Sequence, residues 1–272
     1  MVKTSINNSV NTKKNSAIEF VQWRANSAIS EKEVAGSVLA IQTTRIAPNS
    51  SSDGLTSPYQ GFNLGLHVGD CAKQVTSNRQ SLQHFLPPHA KIQWLEQVHG
   101  NTVTEVFQVS EKAIVADAAV TTQKNICLAI MTADCLPILL VSKDSDEVAA
   151  IHGGWRPLAD NIIANTLDKM KTPAEDIVAW LGPCISKCAF EVGKEVKTAF
   201  VQQDECFDVA FIEKNNGKYL ADLHKIAMLQ LESSGIKHIS TLSECTYSNI
   251  DKYYSYRKSA ITGRMATLIC LL

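Results

Sequence analysis

Apolar positions fall into short runs through the middle of the chain and take up helical spacing later. Lys91-Ile92-Gln93-Trp94-Leu95-Glu96-Gln97-Val98 alternates with the period of a half-buried strand. Ile114 to Val120, Ile126 to Met131, Leu136 to Val141 and Val148 to Ile151 are apolar runs bounded by polar residues, the pattern of buried strands. Ser37 to Thr44 reads as an earlier strand and Met265 to Leu272 as a closing one. Pro157 with apolar residues at 158, 162, 163, 167 and 170 predicts a helix that opens at the proline. Leu220, Leu223, Ala227 and Leu231 predict a second, with Gly235 placed as its C-terminal cap. Strands and helices mix without strict β-α-β alternation, so the expected class is α+β.

Residues 1–18 hold four Asn, three Ser and three Lys and little to bury, which predicts a flexible tail. Pro48 to Gly54 and Pro87-Pro88 read as loops, and no repeat or linker divides the rest, so residues 19–272 are expected to form one domain. Apolar residues make up 45% and charged ones 19%, with a net charge of −1, which excludes disordered, collagen-like and coiled-coil classes. The densest basic cluster, Tyr256-Arg257-Lys258, is too short to neutralise phosphates along a duplex, so no nucleic-acid partner is expected. The eight cysteines form no Cys-x-x-Cys pair and no dense framework, against both a zinc ribbon and a secreted disulfide scaffold. The first 20 residues lack the apolar core of a signal peptide. The longest apolar stretch, Ile126 to Val141, is interrupted by Thr132, Asp134 and Pro137, so no membrane span is expected. Together these features predict a soluble cytoplasmic protein of a reducing compartment.

Three segments place a metal-competent side chain just after an expected strand: Glu96-Gln97-Val98-His99-Gly100, Met131-Thr132-Ala133-Asp134-Cys135-Leu136-Pro137 and Ile151-His152-Gly153-Gly154-Trp155-Arg156-Pro157. His99, Cys135 and His152 together make a two-nitrogen, one-thiolate set with room for a fourth ligand, the pattern of a catalytic zinc. Zinc there would lower the pKa of bound water towards about 7. The spacing alone favours a turn histidine, a small buried thiol and a satisfied core histidine. A third reading makes Cys135 a nucleophile with His99 or His152 as its base, and Asp134 then either orients that base or, the favoured role, caps a turn. Gly153-Gly154 permits close approach of a ligand, the helix start beyond favours an anion, and Arg156 is placed to hold phosphate bidentately. Cys184 and Cys188 read as structural, and His67, His84, His89, His224 and His238 as surface or core residues.

These segments resemble the bacterial YfiH-like laccase-domain family, also described as polyphenol oxidases and peptidoglycan editing factors. The likeness runs in order through Asn63-Leu64-Gly65, Val68-Gly69-Asp70, Trp94 to Gly100, Ala116-Asp117-Ala118, Met131 to Pro137, His152 to Arg156, Trp180 to Pro183 and Ala189 to Gly193. It continues through Tyr219 to Leu223, Cys245-Thr246-Tyr247, Ser255-Tyr256-Arg257 and Thr262 to Met265, and covers roughly residues 37–272.

The resemblance implies a single-domain, four-layer α/β/β/α sandwich with mixed sheets and a zinc site on His99, Cys135 and His152, with copper as the other metal such a set suits. It implies phosphorolysis of adenosine, inosine and S-methyl-5′-thioadenosine, with phosphate as co-substrate, and deamination of adenosine. Arg45, Asn63 and Arg156 are then the candidates for placing substrate. Hydrolytic editing of peptidoglycan precursors, copper-dependent polyphenol oxidation and a non-catalytic metal-binding module are the alternatives. Two departures bear on the site: Ile46-Ala47-Pro48 and a Ser-rich stretch stand where the family has Gly-Gly after the arginine matched by Arg45, and Pro157 stands where it has glycine.

Overall fold

Three adjacent segments, Ile126–Thr132, Leu136–Ser142 and Val148–Gly153, are buried at every position, as happens when both faces of a sheet are covered. The computed structural model describes residues 16–23, 37–48 and 57–272. Its strands are β1 (Ile18–Phe20), β2 (Val38–Thr43), β3 (Lys91–Glu96), β4 (Val103–Glu105), β5 (Ile114–Val115), β6 (Ala118–Thr121), β7 (Ile126–Thr132), β8 (Leu136–Ser142), β9 (Val148–Gly153), β10 (Ile177–Leu181), β11 (Glu191–Val192), β12 (Phe211–Glu213), β13 (Tyr219–Ala221), β14 (His238–Thr241) and β15 (Met265–Leu271). Its helices are α1 (Ala72–Gln83), α2 (Trp155–Ala159), α3 (Ile162–Leu167), α4 (Lys194–Val201) and α5 (Leu223–Ser233).

The strands form two six-stranded sheets, β1-β2-β15-β7-β3-β5 and β14-β10-β8-β9-β6-β4, and a small sheet β11-β13-β12. Both large sheets are mixed: β3 runs parallel to β7 while β15 is antiparallel to it, and β10 is parallel to β14 but antiparallel to β8. Alternate residues of each sheet face inward, so Leu128, Ile130 and Ile269 pack against Leu139, Val141, Val148 and Ala150 between the sheets. The outward residues Ile138, Leu140, Ala149 and Ile151 are covered by α2, α3, α4 and α5. On the other side Cys127, Ala129, Leu268 and Cys270 lie under Phe62, Leu64 and Leu82 of α1 and its approach. The result is the expected four-layer α/β/β/α sandwich, an α+β fold.

Several boundaries depart from expectation. The helix expected from Pro157 is two short ones, because Asn161 adopts left-handed φ +62° between α2 and α3. Leu220 belongs to β13, and α5 begins three residues later, where the Asp222 carboxylate accepts the Lys225 N–H and caps it. Gly235, at φ +97°, follows that helix as expected. The run Ile114 to Val120 breaks after Val115, and the break places Asp117 just before β6. Helix α1 has no counterpart among the expected elements, since it buries only Val75, Asn78 and Leu82. Of the expected tail, residues 1–15 lie outside the described residues, and Ser16 to Ile18 lead into β1 with Ala17 and Ile18 buried. Among the described residues no helix is long and apolar enough to cross a membrane.

Candidate functional site

The chain crosses from one large sheet to the other between β7 and β8, and Asp134 and Cys135 lie in that three-residue crossover. His99 follows β3 of the first sheet, and His152 lies near the end of β9 in the second. The seam between the sheets therefore gathers all three expected ligands, whose donor atoms lie within 4.8 Å of one another. Cys135 Sγ is 3.9 Å from His99 Nε2, and the two imidazole rings meet edge to face at 4.7 Å. One thiolate and two imidazoles suit zinc, and copper also. Cys135 Sγ and His99 Nε2 lie within a few tenths of an ångström of the roughly 3.5 Å that shared ligation of one zinc would set.

One carboxylate arranges both histidines. Asp117 is fully buried; its Oδ1 accepts the His99 N–H at 3.0 Å and lies 2.8 Å from His152 Nδ1. Its Oδ2 accepts the N–H groups of Val98 and Gly100 at 3.1 and 2.8 Å. With Nδ1 engaged, His152 keeps Nε2 for the metal, the role a carboxylate commonly plays behind a ligating histidine. The amide bonds also hold His99 at left-handed φ +58°. A second carboxylate arranges the thiol. Asp134, at φ +92°, accepts the Thr246 hydroxyl at 2.7 Å and the Arg257 N–H at 2.6 Å, and its carbonyl accepts the Ile185 N–H at 2.9 Å. It therefore positions the neighbouring Cys135 and is not the orienter of a catalytic base.

The charges follow from these contacts. Burial pushes the Asp117 carboxyl up, but His152 and the amides of Gly100 and Val98 outweigh it and hold it below its ordinary value. Burial likewise opposes the Cys135 thiolate, yet His152 and His99 bring the thiol down to about 6. Against the same burial, Cys135 and Asp117 raise His152 to about 9. Without metal the pair is a thiolate beside an imidazolium, so binding a metal displaces a proton from His152.

The trio opens into a cavity of about 660 Å³. Val98, Met131, Ile185, Phe190 and Tyr256 supply apolar wall, and Arg156, Arg257 and Arg264 supply charge. No arginine makes an ion pair with a carboxylate among the described residues. Instead Arg257 stacks on Phe190 and donates to the Glu191 carbonyl, and Arg264 donates to the carbonyls of Thr262 and Gly263. The cavity is thus lined by three arginines without a direct ion-pair partner, although Cys135 and Asp134 lie close enough to Arg264 to favour its charge.

Of the residues expected to place substrate, only Arg156 lines the cavity. Arg45 stacks on Tyr254 and donates to the Ile250 carbonyl, away from the site. Asn63 is fully buried; its amide oxygen accepts the N–H groups of Gly65 and Arg264, and its nitrogen donates to Asp70. It anchors the backbone that carries Arg264. The expected helix-start anion site is also corrected: α2 is a single short turn, and the space at Gly154 is taken by Cys135 and His99, which a Cβ would meet at 3.3 Å. Pro157 is harmless there, since the first N–H bonded within that turn is that of Leu158, to Gly154. Asp117, Arg257, Arg264, Phe190 and His67 were not expected at the site, although all but His67 stand in segments that carry the resemblance.

Known proteins resemble the chain over most of its length. The family profile described as "Multi-copper polyphenol oxidoreductase laccase" matches residues 40–272. The "Purine nucleoside phosphorylase YfiH" of Shigella flexneri is 39% identical over 86% of this chain and 94% of its own. A protein of the same enzyme name from Haemophilus influenzae is 41% identical over 78% of this chain and 88% of its own. A crystal structure from Neisseria meningitidis superposes with a TM-score of 0.84 at 36% identity, covering 94% of this chain and 99% of its own.

Proposed function

The chain belongs to the multi-copper polyphenol oxidoreductase laccase family, and from that premise we propose that it is a zinc-dependent purine nucleoside phosphorylase that also deaminates adenosine. Its substrates on this reading are adenosine, inosine and S-methyl-5′-thioadenosine. One observation carries it: a His-Cys-His donor set opens into a cavity with a mostly apolar wall and three arginines that form no ion pair with a carboxylate among the described residues. That combination suits a ligand with a flat apolar part and an anionic partner, as a purine nucleoside with phosphate would be.

Arg257 and Arg264, with Arg156 at the rim, hold phosphate on this reading, and Asn63 serves through the Arg264 backbone. Phe190, Tyr256 and Trp155 offer faces for the purine. In phosphorolysis a phosphate oxygen bonds to C1′ of the ribose while the C1′–N9 bond breaks and its electrons leave with the base. In deamination water adds at C6 and ammonia departs with the C6–N6 electron pair. When bound, zinc supplies Lewis acidity that activates water near neutral pH. The protein's share is to hold its three donors in place through Asp117 and Asp134, and to wall the reacting atoms off with Ile185 and Phe190.

Labelled adenosine tests this with fully zinc-loaded protein. Phosphate-dependent release of adenine and ribose 1-phosphate, together with inosine, is expected, and all are lost with the metal in His99→Ala, Cys135→Ser and His152→Ala. Neither adenine nor inosine from loaded protein removes the proposal. Copper-dependent phenol oxidation is the second reading, favoured by the family description and by a donor set copper also accepts. Oxidation of a simple phenol by copper-loaded protein, with no nucleoside turnover, would install it instead.

A further inference from the structure

Behind the crossover lies a second pair of sulfurs that the proposed reaction does not use. Cys184 follows β10 and Cys245 precedes the turn that carries Thr246, and the two residues are parallel bridge partners. Partners of this kind have Cα atoms about 4.8 Å apart, inside the roughly 4.4–6.8 Å window of disulfides. The link is tightened by the Thr246 N–H, which donates to the Cys184 carbonyl at 3.0 Å. Each cysteine is followed by a residue that grips Asp134: Ile185 through its carbonyl at 2.9 Å, Thr246 through its carboxylate at 2.7 Å. The two thiols differ in surroundings. Cys245 is half-buried, and its Sγ accepts the Ser186 N–H at 3.3 Å, whereas Cys184 is buried with its Sγ 3.6 Å from His224 Nδ1.

We infer that Cys184 and Cys245 are a modification site, a dithiol that peroxide converts to a disulfide directly behind the cradle of Cys135. Cys245 reacts first: burial pushes its thiol up, but hydrogen bonds from Ser186 and Ser248 outweigh this and hold it below its ordinary value. Its sulfur takes an oxygen from hydrogen peroxide, giving a sulfenic acid and one water. The Cys184 sulfur then attacks the Cys245 sulfur, the S–S bond forms, and hydroxide leaves and takes the Cys184 proton as a second water. Two thiols and one peroxide thus become one disulfide and two waters. The disulfide ties together the two segments that grip Asp134, so it slows loss of metal from the adjoining site.

The test uses full-length zinc-loaded protein, in which Cys135 is engaged by metal. It is treated with a slight excess of hydrogen peroxide, alkylated while denatured and digested without reductant. A peptide linking Cys184 to Cys245, lost on treatment with a dithiol, is expected. In Cys184→Ser, which lacks the second sulfur, Cys245 is instead carried on to the sulfinic acid. Release of zinc to a chelator is expected to slow at least about threefold in the oxidised wild type and to be unchanged by peroxide in Cys245→Ser. Cys245 recovered as free thiol or sulfinic acid in the wild type, or Cys184 linked to any other cysteine, overturns the inference. None of these readouts depends on nucleoside turnover.

Discussion

Asp117→Asn keeps the shape of the side chain and turns one of its two acceptors into a donor. In the native site Oδ2 serves two backbone N–H groups, those of Val98 and Gly100. Oδ1 serves one, that of His99, and the His152 ring. If the new NH₂ takes the Oδ2 place it opposes two donors, at about 1–3 kcal/mol each. In the Oδ1 place it opposes one, because His152 can accept at Nδ1 by moving its proton to Nε2. The second arrangement is lower by about one unmet N–H, roughly 1–3 kcal/mol, and prevails. It puts a proton on the nitrogen that the metal needs. The expected result is a folded protein destabilised by about 1–3 kcal/mol, with zinc affinity down by roughly 10–100-fold. Competition against a calibrated chelator measures the affinity, and urea unfolding of metal-free protein measures the stability. An Asn variant that holds zinc as tightly as the wild type would refute the assignment of His152 Nε2 as a ligand oriented by Asp117.

Other substitutions separate the remaining roles. Arg264→Met is expected to raise the KM for phosphate by about tenfold, the loss of one charge-assisted hydrogen bond. Arg45→Met should leave that KM unchanged, because Arg45 is spent on Tyr254 and Ile250; steady-state kinetics at varied phosphate tell them apart. His224 is held below its ordinary pKa by burial, and its ring nitrogens lie beside the Gly182 carbonyl and Cys184. As pH falls below about 6.5 the unfolded chain takes up a proton there that the folded chain resists, so stability drops by up to about 1.4 kcal/mol per pH unit. His224→Gln is expected to flatten that part of the unfolding profile, and an unchanged slope would contradict it. Leu139→Ala, in the fully buried layer between the sheets, should cost about 2–5 kcal/mol by denaturant titration while zinc stoichiometry stays the same.

The strands were legible because their apolar runs are continuous, and continuity is what coverage on both faces requires. The three candidate metal donors were legible because each stands just beyond or at the end of such a run. Their meeting was not, since it depends on the crossover of β7 into β8 from one sheet to the other. Nor was the role of Asp117, which lies 17 residues from Gly100 and 35 from His152 in sequence. Asp134 finds Thr246 and Arg257 across 112 and 123 residues. A lone acid between apolar runs carries no periodic signal, so only pairing across the fold reveals its use. The placement of Arg45 on Tyr254 and the Ile250 carbonyl was hidden for the converse reason: an arginine's position in sequence says nothing of which way its guanidinium turns.

His99 at φ +58° and Asp134 at φ +92° occupy left-handed backbone without being glycine. Such residues cost on the order of 1–3 kcal/mol each and persist only where surrounding contacts over-determine them. Both stand where the chain must turn sharply at the seam between sheets. In both cases a buried carboxylate supplies the compensation, from Asp117 to the loop of His99 and from Asp134 to its own turn. The acceptors that hold the strain are separate from the atoms that would hold a metal, so the cradle keeps its shape on contacts of its own. That separation explains why the donors already stand within 4.8 Å of one another, and why Asp117 and Asp134 would govern the affinity for a metal without being ligands.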